Sequence, residues 1–204
     1  MFGIADYGAF VFAMVLFLCI PGPGNLAVIT STTKGGVQGG IAATLGIMAG
    51  DQVLLWLALA GVAAVLAAYP AAFAIVQYLG AAYLLYLGWC LITAKTGEGA
   101  VIHIRPRDYF QQAMLITLLN PKAVVFYMAF LPLFIDPGRH QGLVTFAALA
   151  LTAASLALIY CIALVLLTHH LAERLRTSPA LAGILNKLAG ICLIGFGVKL
   201  ALSR

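Results

Sequence analysis

Apolar runs of membrane-crossing length, each closed by a short polar connection, dominate this chain and leave it very few folds. A helix needs about 20 apolar residues to cross the ~30 Å hydrocarbon layer of a bilayer. Six stretches of the 204 residues reach that length: roughly Asp6 to Ala27, Gly39 to Leu66, Ala71 to Ala94, Phe110 to Ile135, Leu143 to Thr168 and Leu181 to Leu202. Lys34-Gly35-Gly36 parts the first two, Tyr69-Pro70 the second and third, and Asp136-Pro137-Gly138-Arg139 the fourth and fifth. Only 8% of residues are charged, against about 25% in a soluble domain. So few charges cannot build a water-facing surface for a chain of this size. The expected fold is an all-α integral membrane protein, one transmembrane domain over residues 1–204 set in the lipid bilayer. No Lys or Arg precedes the first run and no convincing cleavage site follows it, so it reads as a membrane helix and not as a signal peptide.

The net charge of +5 lies in short loops between the runs, a topology signal and not a nucleic-acid surface. One side receives Lys34, Lys95, Arg105, Arg107, Arg174 and Arg176; the other receives Arg139 and Arg204, with Lys199 close by. Placing the richer side in the cytoplasm puts both termini outside a multi-pass protein of the inner membrane. The polar loop 95–109 then lies in the cytoplasm and splits the chain into blocks 1–94 and 110–204, with three helices each. Three is odd, so repeated halves must be inverted, a common transporter plan.

Helices 1 and 4 are each interrupted by proline. Pro21-Gly22-Pro23-Gly24-Asn25 cannot continue a regular helix. Asn120-Pro121-Lys122 lies ten residues beyond Phe110, roughly 15 Å along the helix and near mid-membrane. Paired interruptions in corresponding helices point to a substrate site at the midplane. The plain alternative for the first is a turn closing a short helix, and for Lys122 snorkelling or a structural ion pair. Asp51 is the third anomaly, twelve residues past Gly39 in the second run. A carboxylate there costs at least ~2.5 kcal/mol to insert. An acid that takes up and releases a proton at that depth is what a proton-coupled carrier requires; the plain alternative is an ion pair with Lys122. Asp136, at the outer end of the fourth run, is either a solvated turn residue or a gate group.

Other residues carry blander readings. Cys19, Cys90, Cys161 and Cys192 each lie inside an apolar run, so neither a disulfide framework nor a metal site is expected. No cofactor is implied. Ala42, Gly46 and Gly50 step by four, and Gly183, Gly190 and Gly197 by seven. Such stripes let helices approach closely and permit a homodimer. Trp56 and Trp89 read as interfacial anchors, while Tyr78, Tyr83 and Tyr86 are candidates for lining a cavity.

Taken in order, these segments resemble the LysE/RhtB family of bacterial amino-acid exporters. Pro21 to Leu26 is similar to its Pro-Gly-Pro-Asn signature, with Gly24 as a departure from the commoner form. Gly39, Gly46, Gly50 and Asp51 match its glycine-rich second segment, Tyr78 to Gly88 its third, and Leu119 to Ala123 its fourth. The third segment and Phe126 to Asp136 look closest to the leucine-efflux branch. The resemblance implies export of an amino acid, leucine or a similar small apolar one, driven by exchange with protons. Under it, Pro21, Gly22, Pro23, Gly24, Asn25, Asn120, Pro121 and Lys122 would bind the zwitterion and Asp51 would couple protons. A metal-cation or other small-solute exporter of the same superfamily is the alternative. A thiol-redox carrier using Cys19 is a further one, although the second break has no matching cysteine. An intramembrane enzyme needs a nucleophile–base pair, and Ser155 is the only serine deep in a run.

Overall fold

Helix α1 spans Tyr7–Cys19, opened by Asp6, whose carboxylate accepts the Ala9 amide at 2.9 Å. Its 13 residues reach only about 20 Å, too short to cross a bilayer. The chain then turns extended at Ile20 (φ −67°, ψ 117°), and helix resumes at once as α2, Pro23–Ala68. In this computed structural model the described residues are 3–20, 22–68, 108–136 and 138–175. Single positions at 75, 78, 82, 85, 86, 89, 92, 93, 105, 187, 191, 194, 195 and 198 are described as well.

As one rod, α2 would be about 69 Å long, more than twice the hydrocarbon layer. It is not one rod. Gly36 takes φ 62° and ψ −159°, a backbone that L side chains avoid. The chain reverses there. Gly39 packs against the Ser31 carbonyl and Gly40 against the Thr32 hydroxyl, and Gly24 faces Ile47. Contacts between residues so far apart in sequence require two antiparallel segments, 23–35 and 37–68. The expected division at Lys34-Gly35-Gly36 is therefore present, as a single-residue reversal.

The expected fourth span is two helices, α3 (Tyr109–Leu118) and α4 (Pro121–Phe130), the latter continued by a 3₁₀ turn, Leu131–Phe134. Their axes bend by 56° at the break. Asn120 caps α4 by accepting the Lys122 amide at 3.1 Å, with proline in its first turn, where a missing N–H costs nothing. Helix α5, Leu143–Leu175, contains the expected fifth span. Pro23–Ala64, folded back at Gly36, and Leu143–His170 are long and apolar enough to cross a membrane, and the bent pair of α3 and α4 adds a third where it forms one span. The expected third and sixth spans fall outside the described residues, except at single positions, which are helical. Apart from an isolated bridge between Ile4 and Ile135, no strand occurs among the described residues.

Leu57, Leu119, Met128, Leu151 and Ile159 point outward, as expected where the solvent is lipid. Inside, the glycine stripe brings two backbones together. Gly46 meets the Phe110 carbonyl, and a Cβ at Gly50 would come within 2.9 Å of Thr117 Cβ. Beside this contact runs an aromatic column. Phe17 stacks on Phe126 (centroids 3.6 Å apart), Phe126 on Phe130 (4.3 Å), and Phe130 meets Phe134 (4.6 Å). Phe10 closes it edge-on against Phe134 at 5.4 Å. Replacing Phe126 by leucine keeps the site apolar but removes two stacked pairs, each worth about 0.5–1.5 kcal/mol beyond burial. The variant is expected to fold, with a lower melting temperature in detergent.

Candidate functional site

The two helix breaks meet. The Lys122 ammonium, from the start of α4, donates to the Ile20 carbonyl at 3.1 Å, where α1 ends, and sits 4.9 Å from the centroid of the Phe17 ring. The last carbonyls of a helix lack intrahelical donors and carry partial negative charge, so a cation settles there. The aromatic face adds a second attraction. Asn25 works on the same helix end: its side-chain amide donates to the Leu18 carbonyl (3.1 Å), the Ile20 carbonyl (3.3 Å) and the Tyr160 hydroxyl (3.1 Å). The two asparagines of the matching breaks thus do opposite work. Asn120 opens α4, whereas Asn25 closes α1.

Over these groups lies a cavity of about 50 Å³, room for a few waters and well below the roughly 300–1,000 Å³ of a small-molecule site. Gly22, Gly24 and Asn25 line it from the first break, and Asn120 and Lys122 from the second. Asp51 lines it from α2 and is 7% exposed. Six sequence-derived site residues therefore share one space. Pro21 lies outside the described residues; Pro23 and Pro121 open the helices that frame the cavity.

Asp51 does not pair with Lys122, the plain alternative entertained for both. Its carboxyl faces the Tyr127 hydroxyl, and no ion pair within 4.0 Å joins it to the lysine, which is held by the α1 carbonyl end instead. Asp136 stands apart from the cavity: in the turn that follows the 3₁₀ helix it accepts the Gly138 amide at 2.9 Å and pairs with Arg139 at 3.7 Å. Tyr78 and Tyr86 are exposed and not in the cavity, and Tyr83 lies outside the described residues. Ser155 is exposed and bonded to the Leu151 carbonyl of its own helix at 2.8 Å, so it presents no activated nucleophile.

Further residues of the site do not stand out in the sequence. Phe17, Thr117 and Cys161 line the cavity, and Tyr127 faces Asp51. Thr117 and Tyr127 sit three residues before and seven after Asn120, so helical spacing from the break could have found both. Nothing in one dimension marks Cys161. No group of three or more His, Cys, Asp or Glu able to hold a metal occurs among the described residues.

Because Asn25 still donates to Ile20, Lys122→Met is expected to leave the fold intact, with a stability loss on the order of 1 kcal/mol. If the ammonium serves the cavity, transport should nonetheless fall about tenfold. Lys122→Arg should not restore it, since a planar guanidinium cannot replace a compact charge. Vesicle uptake and melting in detergent measure the two effects separately.

Discontinuous helices whose ends converge on a buried polar cavity, inside an otherwise apolar bundle, define a membrane transport protein. The chain belongs to the LysE type translocator family, which it matches over residues 15–204. It is 36% identical over 206 residues to a leucine efflux protein of Salmonella choleraesuis, with 98% of this chain and 96% of the relative covered. It is 33% identical to a leucine efflux protein of Klebsiella pneumoniae and 35% identical to an uncharacterized membrane protein of Pseudomonas aeruginosa, at the same coverage. No solved structure matches it.

Proposed function

We propose that this protein exports leucine or a similar small apolar amino acid from the bacterial cytoplasm, across the inner membrane, in exchange for protons. Membership of a translocator family and likeness to two leucine efflux proteins over nearly the whole chain support export of an amino acid. The observation that carries the site is the Lys122 bond to Ile20, which joins the breaks of the two halves over a cavity that holds Asp51.

A zwitterion matches that cavity group by group. Its carboxylate suits the first turns of α2 and α4, whose early amides lack intrahelical partners, and the Lys122 ammonium lies beside them. Its ammonium suits Asp51. Binding there favours the ionised acid, so the proton leaves as substrate arrives; protonation on the other side releases the substrate. The Phe17–Phe126–Phe130–Phe134 column closes one end of the path. On the loop-charge orientation that end is the outer one, and the Asp136 turn just beyond Phe134 is its gate. The 50 Å³ cavity has to widen for loading.

Everted membrane vesicles give the test. Labelled leucine, valine, alanine, threonine and homoserine are offered under an imposed proton gradient. Leucine and its apolar analogues should accumulate, and a protonophore should abolish the accumulation. Uptake indifferent to the protonophore would remove the proton from the mechanism. Absence of uptake for all five would remove the amino acid.

A further inference from the structure

We propose that Gly24 sets the size of side chain the cavity accepts, with Ile47 as the facing wall; this rests on the amino-acid reading above. The glycines near the site are of two kinds. At Gly46 and Gly50 an added Cβ would strike the backbone or side chains of α3, and at Gly39 the Ser31 carbonyl at 2.5 Å. Packing explains those. Gly24 has no such reason. It is helical, is not among the positive-φ glycines, and a Cβ there would meet nothing closer than Ile47 Cδ1 at 3.8 Å, an ordinary contact. Neither a steric clash nor a positive φ requires glycine at this position.

What the missing side chain leaves is space in the cavity, since both Gly24 and Ile47 line it. The two breaks also differ at this point. Gly24 follows Pro23 at the start of α2 as Lys122 follows Pro121 at the start of α4. One position sends a long cation into the site and the other sends nothing. The cavity thus has a charged end at Lys122 and, between Gly24 and Ile47, an apolar gap about one methyl wide. When the cavity widens for loading, this gap becomes the place for the aliphatic side chain of the substrate, while the polar groups hold its ammonium and carboxylate.

Uptake of glycine, alanine, valine, leucine and phenylalanine by everted vesicles tests this in wild type, Gly24→Ala, Gly24→Val and Ile47→Ala. Gly24→Ala should raise the KM for leucine relative to alanine by roughly tenfold, the low end of what one methylene controls in an apolar pocket. Gly24→Val should lose leucine and keep alanine. Ile47→Ala should move the preference towards phenylalanine, and it reads the same wall if a Gly24 variant fails to fold. Melting in detergent reports folding. Equal loss across all five substrates, or an unchanged ranking in both Gly24→Ala and Ile47→Ala, overturns the assignment. A wild type that carries none of the five overturns the amino-acid reading instead.

Discussion

Gly46→Val is expected to remove the folded protein from the membrane. The Cβ of any residue at 46 would overlap the Phe110 carbonyl oxygen and come within 3.1 Å of the Met114 amide nitrogen. These obstacles are backbone, so no rotamer change relieves them. Helix α3 must move away from α2, and both Thr117, which packs on Gly50, and the second break move with it. Overpacking against mobile side chains costs about 1–3 kcal/mol. Here the cost should exceed about 3 kcal/mol, a large part of the ~5–15 kcal/mol that holds a domain folded. Gly61, on the same helix, is the control. A Cβ there meets nothing within 4 Å, so Gly61→Ala should be neutral or stabilising by up to about 1 kcal/mol. The yield of monodisperse protein in detergent separates them: near zero for Gly46→Val, unchanged for Gly61→Ala. Equal yields would show that α2 and α3 do not pack as described.

Asp51→Asn is expected to fold and to fail in transport. The asparagine side chain has nearly the same shape, and its carbonyl can still accept from Tyr127, the partner of Asp51. What it loses is charge and the ability to exchange a proton. A hydrogen bond to a charged group is worth about 1.5–3 kcal/mol, so leucine uptake should weaken by roughly 10–100-fold. Any remaining uptake should no longer respond to an imposed pH difference. Uptake and melting are measured on the same preparation. A variant that keeps full, pH-driven uptake would falsify the role given to Asp51. Tyr127→Phe tests the partnership from the other side: the acid loses the hydroxyl that faces it, and uptake should fall less than in Asp51→Asn.

The membrane class and the place of the candidate site were open to reading because they rest on local physics. A run of apolar residues seeks lipid whatever its neighbours, Pro-Gly-Pro-Gly breaks a helix wherever it stands, and Asp51 at mid-span is costly in any arrangement. The reversal at Gly36 could be placed from two adjacent glycines, although the single φ of 62° that makes it could not. The tyrosines of the third run went the other way. Tyr78 and Tyr86 have the composition of a cavity wall and yet are exposed, because composition does not say which way a helix is rotated.

Sequence by itself determined that this chain is a membrane protein with two proline breaks and one buried acid. Only the tertiary structure decided who meets whom. Lys122 reaches a carbonyl 102 residues away and leaves Asp51 to Tyr127, while Asn25 reaches Tyr160 across 135 residues. Hydropathy and backbone stiffness act within a few residues and can be read along the chain. Hydrogen-bond partners depend on how helices are rotated and how closely glycine lets them approach, and those quantities exist only once the helices are packed.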